Sequence, residues 1–114
     1  MTRAVPQLRV TDMVAFVQAS ACQPLLLDVR EAWELQSASL TLPGTRTLHL
    51  PMNSLPARMH ELDPTQPILV LCHHGARSQQ CVAFLQQQGW AAVYNVAGGI
   101  DAWSLEVDAS VPRY

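Results

Sequence analysis

The sequence predicts an α/β domain built on a mainly parallel sheet with helices on both faces. Three observations predict it. Short continuous apolar runs, Leu25-Leu26-Leu27 and Ile68-Leu69-Val70-Leu71, have the composition of strands buried on both sides. Segments with apolar residues at helical spacing alternate with these runs. Turn residues such as Leu42-Pro43-Gly44 and Asp63-Pro64 separate one element from the next. At 114 residues the chain is expected to be a single domain, 1–114, with a core over about 8–105 and a short C-terminal tail.

The elements follow in order. Thr11-Asp12 supplies an N-cap and a first-turn acid for a helix carrying Met13, Val14, Phe16 and Val17. Pro24 opens a strand over Leu25 to Val29, and Glu31 to Gln36 can form a short helix. Thr47 to Leu50 is a strand closed by Pro51. Asn53-Ser54 can cap a helix over Leu55, Met59 and Leu62, with Pro56 tolerated in its first turn. The clearest strand is Ile68 to Cys72. The next helix has Cys81, Val82 and Leu85 on one face, glutamines largely on the others, and Gly89 at its C′ position. Val93 to Val96 is the last strand, Gly98-Gly99 a tight turn and Asp101 to Leu105 a final short helix. The tail Ser110 to Tyr114 carries no signal.

Composition narrows the functions. A formal net charge of −2 argues against nucleic-acid binding. All seven basic residues are Arg, a bias from which no function follows. Three scattered cysteines, Cys22, Cys72 and Cys81, do not make a disulfide framework, and the odd count fits a reducing compartment. Ala19-Ser20-Ala21-Cys22 faintly resembles a lipoprotein cleavage site, but Asp12 and Gln18 interrupt the apolar run before it. No stretch approaches the roughly 20 apolar residues of a membrane span. The expectation is a cytoplasmic protein without membrane or nucleic-acid partners.

The chemistry is expected at Cys72. In open α/β sheets ligands sit outside the carboxyl ends of the strands, which is where Cys72 falls. The loop His73-His74-Gly75-Ala76-Arg77-Ser78 follows, and a helix begins within it. Unpaired N–H groups at that helix start can surround an anion, and Gly75 permits the turn that makes them converge. The helix dipole and Arg77 favour a thiolate, a nucleophile for sulfur or phosphorus centres. A cysteine at a strand end alone would be an ordinary small core residue. The Gly-containing loop with Arg-Ser opening a helix favours the functional reading.

This loop resembles the active-site loop of rhodanese-like sulfurtransferases. Asp28-Val29-Arg30-Glu31 with Trp33-Glu34 is similar to the family's early signature. Asn95-Val96-Ala97-Gly98-Gly99-Ile100-Asp101-Ala102-Trp103 is similar to its terminal one. The resemblance implies a three-layer α/β/α fold on a five-stranded, mainly parallel sheet. It also implies a thiosulfate sulfurtransferase that needs no cofactor and works through a Cys72 persulfide. The partners implied are a small sulfur donor and a thiol or cyanide acceptor, with a protein-bound persulfide as a further option. Cys72 is the catalytic residue in that scheme. His73, His74, Gly75, Ala76, Arg77 and Ser78 form the substrate-binding loop, with Arg77 orienting the donor's oxyanion. Asp28, Arg30, Gly98, Gly99 and Trp103 are structural signature residues, the first two through an internal ion pair or hydrogen bonds.

Other readings weigh less. Inactive relatives, which serve as interaction or regulatory modules, typically lack the nucleophile. Related phosphatases and arsenate reductases resemble a loop with five residues between Cys and Arg, whereas four separate Cys72 from Arg77 here. His73 and His74 could donate protons, yet persulfide transfer needs no obligatory base once the thiolate exists. No metal is expected, because adjacent histidines do not easily converge on one ion. Cys81 is expected to be buried rather than a resolving thiol, and Trp33, Trp90 and Trp103 to pack. Many relatives carry Gly-His-Ile-Pro-Gly-Ala in this region; here Ser39-Leu40-Thr41-Leu42-Pro43-Gly44-Thr45 keeps the Pro-Gly turn but not the preceding Gly-His, a difference confined to one loop wall.

Overall fold

The structure is a computed structural model describing residues 4–114. Strands β1 (Gln7–Arg9), β2 (Leu25–Asp28), β3 (Arg46–His49), β4 (Ile68–Leu71) and β5 (Val93–Ala97) form one sheet in the order β1-β5-β4-β2-β3. Every neighbouring pair is parallel. The two central runs that predicted the fold lie side by side, with Leu25 opposite Ile68 and Asp28 opposite Leu71. All carboxyl ends therefore open on one edge, and Val29 and Cys72 leave the sheet as neighbours there.

Alternation along the strands divides the core into two. Leu25, Leu27, Ile68, Val70 and Val93 point to one face. There they meet Leu55 of α3 (Leu55–Arg58) and Cys81, Val82 and Leu85 of α4 (Ala76–Gln87). Leu26, Leu69, Leu71 and Val96 point to the other face. They meet Met13 of α1 (Met13–Ala19) and Ile100 and Trp103 of α5 (Gly99–Glu106). A strand with both faces covered is apolar wherever no partner satisfies a polar side chain. That is why β4 and the first three residues of β2 read as apolar runs and Asp28 closes β2 paired with Arg30. The expected three layers are present.

Several elements differ from expectation. β1 is the fifth strand, and nothing in Gln7-Leu8-Arg9 marks it, because an edge strand keeps its polar side chains in solvent. The single helix expected over 53–62 is one α-turn between two 3₁₀ turns, Met52–Ser54 and Met59–Glu61. Arg58, at φ −116° and ψ 6°, leaves the helical region between them. Asp12 makes no side-chain capping bond, since a 3₁₀ turn over Val10–Asp12 precedes α1. Trp103 packs as expected, but Trp33 is 62% exposed. The tail is ordered against the domain, with Val111 buried and the Ser104 hydroxyl donating to the Val111 carbonyl.

Candidate active site

Cys72 follows the last residue of β4 and is 1% exposed. Its Sγ accepts the Gly75 N–H at 3.0 Å and lies 3.2 Å from the Ser78 hydroxyl. Gly75 is the N-cap of α4 at φ +101°, a conformation that side chains resist. A Cβ there would stand 3.1 Å from the Gly98 amide, so a side chain would also be crowded.

The loop is held from two sides. Ser78 is fully buried and donates its hydroxyl to Asn95 Oδ1, while Asn95 Nδ2 donates to the Gly75 carbonyl at 3.2 Å and to Gln7 Oε1 at 2.9 Å. Both groups that touch the sulfur are thereby tied to β5. From the other side, the first turn of α5 donates to the loop backbone, Ile100 N–H to the Cys72 carbonyl at 3.0 Å and Asp101 N–H to that of His73 at 3.1 Å. Such close approach excludes a Cβ at Gly99, which would lie 2.5 Å from the Cys72 carbonyl oxygen. Gly98-Gly99 is therefore more than a tight turn: it lets one helix start press on the loop after Cys72. Trp103 of the same helix is buried beneath it.

Arg77 is not free. Its guanidinium makes a two-pronged pair with Glu34 at 2.7 Å for both bonds. Glu34 lies in α2 (Ala32–Ser37) and closes a reciprocal cap with Glu31, accepting the Glu31 N–H at 2.8 Å. Arg77's hydrogen bonds hold the buried Glu34 carboxyl down at about 2 against its own desolvation, with help from the Glu31 amide and the Tyr114 hydroxyl. The Glu34 bonds in turn push Arg77 above its ordinary value. Asp28 and Arg30 form the second pair, at 2.7 Å and buried, and Arg30 also donates to the Ala38 carbonyl at 2.9 Å. That pair fixes the path of the chain from β2 into α2.

His73 is half-buried, stacked between the exposed His74 ring and Tyr114, with ring centroids 3.9 Å away on each side. Burial, then the neighbouring His74, lowers its basicity. Donor atoms of His73, His74 and Asp101 lie within 4.8 Å of one another. Asp101, however, already accepts Arg113 Nε at 2.8 Å, and stacked rings do not turn their nitrogens toward a common point. Ala76 contributes to the helix start and is exposed. Cys81 is buried on α4, where burial, then the nearby Cys72 sulfur, pushes its thiol up to about 12.

Glu34, Asn95 and Tyr114 escaped the sequence reading as site residues. Glu34 and Asn95 lay within quoted motifs without a role. The spacing of Glu31 and Glu34 at a helix start was the one signal that could have drawn attention to Glu34.

A buried cysteine at a parallel-strand end, its sulfur against the start of the following helix, marks the candidate site of this α/β protein. The chain belongs to the rhodanese-like domain family, whose profile matches residues 13–106. It is 44% identical over 91 residues to the Arabidopsis thaliana chloroplastic rhodanese-like/PpiC domain-containing protein 12; the match covers 78% of this chain and 30% of that protein. It is 41% identical over 80 residues to a sulfurtransferase of Allochromatium vinosum, covering 70% of this chain and 71% of that one. The polysulfide-sulfur transferase homodimer of Wolinella succinogenes has a similar structure. Its TM-score is 0.72 at 27% identity, over 90% of this chain and 74% of that one.

Proposed function

We propose that the chain is a sulfurtransferase that carries sulfane sulfur on Cys72. The observation that carries this reading is the Cys72 Sγ accepting the Gly75 amide at 3.0 Å at the start of α4. A helix N-terminus with converging amides stabilises negative charge on sulfur, whether as thiolate or as persulfide. The cycle balances without a cofactor. The Cys72 thiolate attacks the outer sulfur of a donor such as thiosulfate. The donor's S–S bond breaks, sulfite leaves with the electron pair, and Cys72 holds a persulfide. A thiol or cyanide then attacks the terminal sulfur and returns the Cys72 thiolate.

Arg77 presents to a donor only the N–H groups that Glu34 does not use, because two are committed to that carboxylate. Its charge is locally balanced, so its contribution is directional hydrogen bonding more than net attraction of a dianion. A small thiosulfate and a protein-bound persulfide both fit that arrangement, and the similarity to named sulfur transferases supports sulfur as the group moved.

The test is intact-mass measurement after incubation with thiosulfate or polysulfide. A gain of about 32 Da, lost on adding cyanide, is expected from one sulfur held as a persulfide. Absence of the gain with every donor rejects the reading and leaves an interaction module.

A further inference from the structure

The ordered tail places a residue against this site that lies outside the family-matched residues 13–106. Arg113 is paired with Asp101 at 2.8 Å, and Tyr114 follows it onto the loop. The Tyr114 ring lies face to face with His73, at 3.9 Å between centroids and 8° between planes. Its hydroxyl donates to Glu34 Oε1 at 2.9 Å and accepts from Arg30 at 3.1 Å. The exposed Trp33 ring meets it edge-on at 6.1 Å. One side chain thus contacts the residue beside Cys72 and the carboxylate that holds Arg77, without a hydrogen bond of its own to Cys72 or Arg77.

We propose that Tyr114 is a positioning residue of the sulfur-transfer site: its hydroxyl sets Glu34 and so the direction of Arg77, and its ring clamps the loop at His73. The two halves act separately. The direction of the hydroxyl bond follows from chemistry, since the ionised Glu34 can only accept and Arg30 can only donate. The Tyr114 oxygen satisfies both at once, so removing it leaves Glu34 one bond short beside Arg77. The ring is a packing element: it covers His73, and His73 lies between Cys72, which has almost no exposure, and the Gly75 amide that reaches its sulfur. The assignment rests on Cys72 being the sulfur carrier.

The experiment compares full-length wild type, Tyr114→Phe and Tyr114→Leu in two assays. The first is steady-state transfer from thiosulfate to cyanide. The second is alkylation of Cys72 by neutral iodoacetamide, read by peptide mass at Cys72 because Cys22 is exposed. In Tyr114→Phe, loss of one hydrogen bond to a charged group is expected to raise KM for thiosulfate about fivefold with kcat nearly unchanged. Its alkylation rate stays at the wild-type value, because the phenyl ring keeps the stack. Tyr114→Leu shows the same KM rise and alkylates about threefold faster or more, because the loop opens more often.

A wild-type KM in the Phe variant, or wild-type alkylation in the Leu variant, overturns the assignment. If Leu fails to melt cooperatively, the KM of the Phe variant decides alone. Wild type that gains sulfur from neither thiosulfate nor polysulfide contradicts the sulfur-carrier reading instead. If only polysulfide loads it, the KM comparison is made with polysulfide, and the alkylation assay, which needs no sulfur donor, still decides the role of the ring.

Discussion

Cys72 and Cys81 lie nine positions apart and are almost equally hidden, 1% and 2% exposed, yet their surroundings prepare them for opposite fates. Cys81 sits on the apolar face of α4 among Val82 and Leu85, and burial there pushes its thiol up to about 12. Cys72 has the same apolar walls on one side, but the Gly75 amide and the Ser78 hydroxyl reach its sulfur on the other. Burial by itself disfavours a charged sulfur, whereas burial with directed donors makes each of those donors count for more. Neighbouring dipoles, rather than access to water, separate the surroundings of the two cysteines, and on the proposed function they separate the sulfur carrier from a core thiol.

The most severe way to break the comparison is to exchange the thiols for hydroxyls. Cys72→Ser is expected to abolish sulfur loading by intact mass, and Cys81→Ser to leave turnover within about twofold of wild type. Loss of turnover in the second variant would make Cys81 a participant. Next comes Arg77→Ala, which should slow loading from thiosulfate by about tenfold or more while changing cyanide discharge of preloaded enzyme much less. Equal losses in the two half-reactions would contradict a role for Arg77 on the donor.

Gly75→Ala attacks the cradle through its backbone. With φ at +101° and the Gly98 amide 3.1 Å from the added Cβ, it should cost about 1–3 kcal/mol in a denaturant melt and slow loading. A variant of wild-type stability that loads normally would remove the cradle argument.

Acid supplies a further test. The folded state holds Glu34 at about 2, below its ordinary 4.5, so it contributes stability that is full above 4.5 and lost as pH falls through about 2. That contribution is about 3 kcal/mol at neutral pH, and Glu34→Gln should flatten unfolding free energy against pH over this window. The smallest effect concerns Cys81 alone: its alkylation in the native protein should stay negligible up to about pH 10.

Much of this was legible before folding. Leu25 to Leu27 and Ile68 to Leu71 had to be central strands because no polar residue interrupts them, and Cys72, Gly75 and Arg77 pointed to a candidate site because they fall within one short loop. β1 was not legible, being three residues long with polar side chains facing solvent. The tail was not legible either, because Arg113 and Tyr114 acquire meaning only from Asp101, Glu34 and His73.

By itself, then, the sequence determined what depends on neighbours in the chain: the alternation of strands and helices, the cysteine at a strand end and the glycine that turns its loop. Only the tertiary structure decided what Arg77 faces, where the Ser78 hydroxyl goes and what lies over His73. Those contacts join residues 43, 17 and 41 positions apart, from Arg77 to Glu34, Ser78 to Asn95 and His73 to Tyr114. No local propensity encodes such pairs. They arise because parallel strands bring all their carboxyl ends to one edge, where buried polar groups must find partners among whatever the packing delivers.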